Sequence, residues 1–171
     1  MKNKWLFVFA IIFINCISAC NNEVKKDKDN TGASSNGKIR NGISIQENGL
    51  HVEQAFLLKD DGTLIDDNNK IQVGERVSLR LIMHGWEVKD DKVYPEASEK
   101  IATNDGQIFL DEQTLFSTSL PGGTTLENAE AITLYATISR VDKLYDYFLV
   151  SFKVRDKTSN KSVSGSYKLY L

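Results

Sequence analysis

Side chains that could bind a metal or move a proton occur along this 171-residue chain in small groups. Asp60, Asp61, Asp66, Asp67, Asn68 and Asn69 fall close together, and Asp90-Asp91 and Asn104-Asp105 form smaller groups. Calcium needs six to eight hard oxygens converging on one point. The first group has enough oxygens, but no glycine and closing glutamate stand at the offsets of an EF-hand loop. Asp and Asn are also the residues whose short side chains bond to nearby backbone in turns. The expectation is therefore a set of turns, with a calcium site as the alternative. His51 and His84 are the only histidines. His51 lies in an alternating segment and His84 just before Gly85-Trp86. A zinc site would need the fold to bring both together and carboxylates to complete the set. No metal site and no cofactor are expected.

Nucleophilic catalysis finds little to build on. The chain has no Gly-x-Ser-x-Gly elbow, and its serines have no histidine near them in sequence. Pro121-Gly122-Gly123 lacks the lysine and the strand-to-helix setting of a phosphate loop. The expectation is a protein without catalytic residues, hence not an enzyme. The most suggestive stretch is residues 84–95, where Trp86, Lys89 and Tyr94 place two aromatics and a cation among charges of both signs. Loops at the ends of β-sandwiches commonly bind partners, and Trp and Tyr are favoured anchors. The competing reading has Trp86 and Tyr94 folding over a sheet edge to cap the core. Tyr145 and Tyr147, beside the Asp142-Lys143-Leu144 turn, raise the same question.

The first twenty residues bear on where such a domain is held. Met1-Lys2-Asn3-Lys4 is a short positive head, residues 5–14 are an unbroken apolar run, and small residues lead to Cys20. This is the layout of a secretory signal peptide over residues 1–19. The apolar run is shorter than the roughly 20 residues a membrane-spanning helix needs. Ile17-Ser18-Ala19-Cys20 resembles the lipobox of bacterial lipoproteins. The resemblance implies cleavage between Ala19 and Cys20, diacylglycerol on the Cys20 sulfur and an acyl chain on the new amino terminus. Two or three such chains anchor stably where one does not. By the same resemblance Asn21, which is not the aspartate that retains enterobacterial lipoproteins in the inner membrane, favours the outer membrane.

Processing would discard Cys16 and commit Cys20 to lipid, leaving no thiol and no disulfide. It would also remove Lys2 and Lys4, taking the formal net charge from −2 to −4. That mild acidity argues against a nucleic-acid partner, which calls for a basic face. Residues 20–41 then read as the lipidated cysteine and a polar tether. As a random coil it would reach roughly 25 Å from the membrane.

From Gly42 the pattern changes, and residues 42–171 read as one domain. Val77, Leu79, Leu81 and Met83 recur with a period of two, as do Ile132, Leu134, Ala136 and Ile138, and Phe148, Val150, Phe152 and Val154. Val163, Tyr167, Leu169 and Leu171 continue the alternation to the last residue. Residues 50–58 and 101–110 supply weaker strands. Half-buried antiparallel strands produce this pattern. Asp60-Asp61-Gly62 and Asn104-Asp105-Gly106 place glycine where a tight hairpin needs a positive φ. Residues 111–116 suggest a short helical turn. About seven or eight strands at this spacing predict an all-β, antiparallel immunoglobulin-like β-sandwich, with a small barrel as the alternative. The function expected is a non-catalytic binding module whose partner is an envelope protein or glycan, held at the membrane through Cys20. The alternative is a small lipoprotein that inhibits an enzyme or confers immunity to a toxin. The Lys-, Asn-, Asp- and Ile-rich composition is similar to that of small Bacteroidetes lipoproteins.

Overall fold

The computed structural model describes residues 38–171, so the leader, Cys20 and the tether up to residue 37 lie outside the described residues. The elements are β1 (Ser44–Asn48), β2 (His51–Leu58), β3 (Arg76–His84), β4 (Pro95–Thr103), β5 (Ile108–Glu112), α1 (Leu126–Ala129), β6 (Ala131–Thr137), β7 (Phe148–Asp156) and β8 (Ser162–Leu169). One antiparallel sheet has the order β1-β8-β7-β4-β5, and a second has the order β2-β3-β6. Both sheets end in edge strands, so the architecture is a sandwich and not a closed barrel. With β1 set aside, β2-β3-β6 against β8-β7-β4-β5 is an immunoglobulin-like arrangement.

The alternation read from the sequence faces inward as expected. Val77, Leu79, Leu81 and Met83 of β3 are buried, flanked in register by Ala55 and Leu57 of β2 and by Ile132, Leu134 and Ala136 of β6. From the other sheet come Ile101 of β4, Phe148, Val150, Phe152 and Val154 of β7, and Val163, Tyr167 and Leu169 of β8. Gly165 pairs with Phe152. Any Cβ there would overlap the Phe152 ring and the Ser44 carbonyl, so a glycine is what lets that ring lie across β8.

Three expectations are corrected. The tether does not extend to residue 41. Ile39 bridges Ala55 in parallel, and Asn41 is buried, with its amide donating to the Ile65 carbonyl and to Asn69 Oδ1. Residues 38–41, three of them polar, thus belong to the domain, because hydrogen bonds and not apolar side chains bind most of that segment. Residues 101–110 are not one strand. They are the end of β4, the Asn104-Asp105-Gly106 turn and the start of β5. Residues 111–116 form no helix; Asp111 and Glu112 finish β5, and the short helix is α1, with Thr125 as its N-cap accepting from Asn128 N. No helix among the described residues is long and apolar enough to cross a membrane.

Candidate functional site

The loop between β3 and β4 carries the three residues singled out as ligand contacts, and the fold separates them. Trp86 is buried, and its indole N–H donates to the Ala129 carbonyl at 3.0 Å. A buried indole ordinarily needs such a partner. Trp86 therefore closes the core over α1 and is not an exposed anchor, which corrects its reading as a contact residue. Lys89 is exposed, at the base of a two-residue turn closed by hydrogen bonds in both directions between Lys89 and Lys92. The central Asp90 and Asp91 both have positive φ, 52° and 58°. That is the conformation of a type I′ hairpin turn, which Asp tolerates better than most residues. Tyr94 is half-buried, its ring against Gly123, and Val93 is paired with Thr124. The loop is thus pinned on both sides.

The second aromatic pair is engaged as well. The Tyr145 hydroxyl bonds Gln107 Oε1 at 2.7 Å and Asp142 Oδ1 at 2.6 Å, and its ring packs edge-on against Phe109 and Phe148. The hydrogen bond to Asp142 pushes the Tyr145 phenol up to about 12. The Tyr147 ring receives the Lys168 ammonium at 3.9 Å from its centroid.

The Asp and Asn residues considered for calcium serve turns and pairs. Asp61 Oδ1 accepts from the backbone N–H and the hydroxyl of Thr63, and Asn68 Oδ1 accepts from Lys70 N. Asp60 binds Arg76 at 2.6 Å. Asn69 is buried, donating to the Asn41 and Lys168 carbonyls. Among the described residues no three His, Cys, Asp or Glu side chains converge on a point where they would hold a metal ion.

The surface best suited to binding is the outer face of β2-β3-β6. Successive rows across the sheet read Gln54, Ile82 and Ala131; then Phe56, Arg80 and Thr133; then Leu58, Ser78 and Tyr135. Apart from Ser78, which is buried, all of these are half-buried. Arg80 Nη1 donates to Thr133 Oγ1 at 2.6 Å, and among the described residues no carboxylate lies within ion-pair distance of it. Arg76 stands over the Tyr135 ring, 5.3 Å from its centroid. Arg76 is already engaged by Asp60, whereas the Arg80 guanidinium, in the same row as Phe56, can stack on a planar or pyranose ring and hold an anion with paired donors. In the sequence these residues occupy the nominally polar positions of alternating strands. Phe56, Arg80 and Tyr135 are the aromatic and cationic members of that set.

At the upper end of the same face the only two histidines meet. His51 and His84 are register partners with ring centroids 5.5 Å apart. His51 Nδ1 bonds Glu47 Oε2 at 3.0 Å, and Glu47 Oε1 accepts from Val52 N at 2.6 Å. That backbone hydrogen bond is the main cause of a Glu47 carboxyl held below the ordinary range.

One further titratable group lies inside the sandwich. Glu99 of β4 is 2% exposed, points inward beside Phe152, and its Oε1 has no hydrogen-bond partner among the described residues. Desolvation pushes its carboxyl up to about 8. The Tyr167 hydroxyl, also buried, is likewise without a partner there.

No family model matches the sequence, and no curated protein matches it.

Proposed function

We propose that this is a lipid-anchored cell-envelope protein whose immunoglobulin-like sandwich is a non-catalytic binding module, with an acidic envelope glycan as its ligand. The anchor rests on the lipobox resemblance at Ile17-Ser18-Ala19-Cys20, and Asn21 favours residence at the outer membrane. The binding site is the outer face of the three-stranded sheet. The single observation that carries this is Arg80, half-buried between Phe56 and Thr133, whose guanidinium meets no carboxylate among the described residues. A cation beside an aromatic residue on a β face suits a sugar ring that bears a carboxylate or sulfate. Planar bidentate donors match such groups, and aromatic faces stack on the ring. Trp86, buried with its indole N–H on the Ala129 carbonyl, supports the end of the sandwich.

The test has two readouts on the mature protein. Mass spectrometry of the amino-terminal peptide should find Cys20 as the first residue, carrying diacylglycerol. Capture of acidic envelope polysaccharides should weaken at least tenfold in Arg80→Ala and in Phe56→Ala, with far-UV circular dichroism unchanged. A bare Cys20 thiol overturns the anchor, and undiminished capture by both variants overturns the sheet face as the binding surface.

A further inference from the structure

The histidine pair at the end of the three-stranded sheet has a geometry that a solvated surface does not require. His51 and His84 are the facing residues of the β2–β3 ladder, and both are exposed. Facing residues of an antiparallel pair have Cβ atoms about 5 Å apart, within reach of one shared ligand. Zinc–nitrogen bonds are about 2.0–2.1 Å long, so two imidazoles on a tetrahedral zinc place their ring centroids roughly 5 Å apart. The observed separation is 5.5 Å. Both rings are exposed, so their side-chain torsions are free to turn toward a shared ligand.

The Glu47 carboxylate supplies the second observation. A metal-bound imidazole usually donates its remaining N–H to a carboxylate or carbonyl, which fixes the tautomer and aims the other nitrogen at the metal. His51 Nδ1 faces Glu47 Oε2 at 3.0 Å. A carboxylate oxygen accepts, so Nδ1 is the donor in that contact, which leaves Nε2 as the nitrogen available to a metal. Glu47 is itself fixed, because its other oxygen accepts from the Val52 backbone. The carboxylate is thereby oriented by the β1–β2 turn before any ligand arrives.

We infer that His51 and His84 form a two-histidine site for a divalent transition metal such as Zn2+, oriented by Glu47 and completed by water. Imidazole nitrogen is the ligand type that suits zinc, copper and nickel, whereas calcium and magnesium prefer oxygen. Two protein ligands leave positions open, so the site is exchangeable and not a structural staple. Its place at the edge of the proposed binding face would let a bound metal take an oxygen of a ligand lying on Phe56 and Arg80. The metal site itself does not depend on that glycan reading.

The test is calorimetric titration of the full mature chain, without an added histidine tag, in detergent micelles with Zn2+ as the probe. One ion should bind per chain. His51→Ala and His84→Ala should each weaken that binding more than tenfold, and Glu47→Gln about tenfold. All three variants should keep the wild-type circular dichroism spectrum, since these side chains are exposed. Ca2+ should give no heat assignable to the same site. Either of two results overturns the inference: no saturable 1:1 uptake of Zn2+ below millimolar concentration, or uptake that survives both histidine substitutions. Neither outcome bears on glycan capture by Arg80→Ala, so the two readings stand or fall separately.

Discussion

Trp86 shows how much of a residue's role is set by direction and not by type. An exposed indole in a loop is a binding anchor, whereas an indole turned inward with its N–H on the Ala129 carbonyl belongs to the core. The sequence carries the type in either case. The direction depends on α1, which the sequence pattern does not reveal and which supplies the accepting carbonyl. Removing a large buried aromatic costs about 3–5 kcal/mol. Trp86→Ala should therefore shift the denaturant midpoint of unfolding strongly, and Trp86→Phe should shift it less, losing mainly the hydrogen bond. The measurement is equilibrium unfolding followed by circular dichroism. An unchanged midpoint in Trp86→Ala would return the indole to solvent and restore the loop as a binding candidate. The histidines repeat the lesson at longer range. His51 and His84 are 33 positions apart in sequence, and only the β2–β3 register makes them neighbours.

At the level of elements, β4 was the least legible strand because two buried glutamates interrupt its apolar pattern. Glu96 is explained by local need: its Oε1 accepts from Ala97 N and Phe116 N, tying residues 113–117 to the sheet. Glu99 faces the interior on the same side as Ala97 and Ile101, and among the described residues no partner reaches its Oε1. In the unfolded chain its carboxyl has a pKa near 4.5, and in the sandwich near 8. The folded state then holds a proton that the unfolded state releases across that interval. Stability is undiminished by this group below about pH 4.5, falls as pH rises, and levels off above about pH 8, with a slope of up to about 1.4 kcal/mol per pH unit. Urea unfolding between pH 4.5 and 9 should show that fall in the wild type. In Glu99→Gln, which cannot ionise, the fall should largely disappear. Parallel profiles for the two proteins would mean that another group governs the alkaline side.

For the whole molecule, the sandwich could be read because most inward positions obey a period of two, and the core strands β3, β6, β7 and β8 were each visible from that alone. What could not be read is pairing. Strand order, and hence the outer face that brings Phe56, Arg80 and Tyr135 together, arises from contacts between residues tens of positions apart, which local alternation does not encode. The amino-terminal boundary failed for a related reason. Residues 38–41 contain one sizeable apolar residue, yet Lys38 O and Arg40 N pair with Ala55, and Asn41 Oδ1 accepts from Leu57 N. The Asn41 carbonyl in turn accepts from Asn69, whose amide also reaches the Lys168 carbonyl on β8, so the segment links the two sheets. Buried groups stripped of their partners cost about 1–3 kcal/mol each. A fragment of residues 42–171 should therefore be less stable than one of residues 38–171 by about 2–5 kcal/mol, a fall of roughly 10 °C in Tm for a domain of this size. Asn41→Ala in the longer fragment should reproduce most of that loss, since it removes the side chain that holds Leu57 N and Asn69 together while keeping the backbone pairing. Calorimetric melting of the three proteins decides the matter: equal Tm values for the two fragments would show that residues 38–41 only lie alongside the sandwich, and a full loss on truncation with none in Asn41→Ala would assign the stabilisation to the backbone pairing of Lys38 and Arg40 with Ala55.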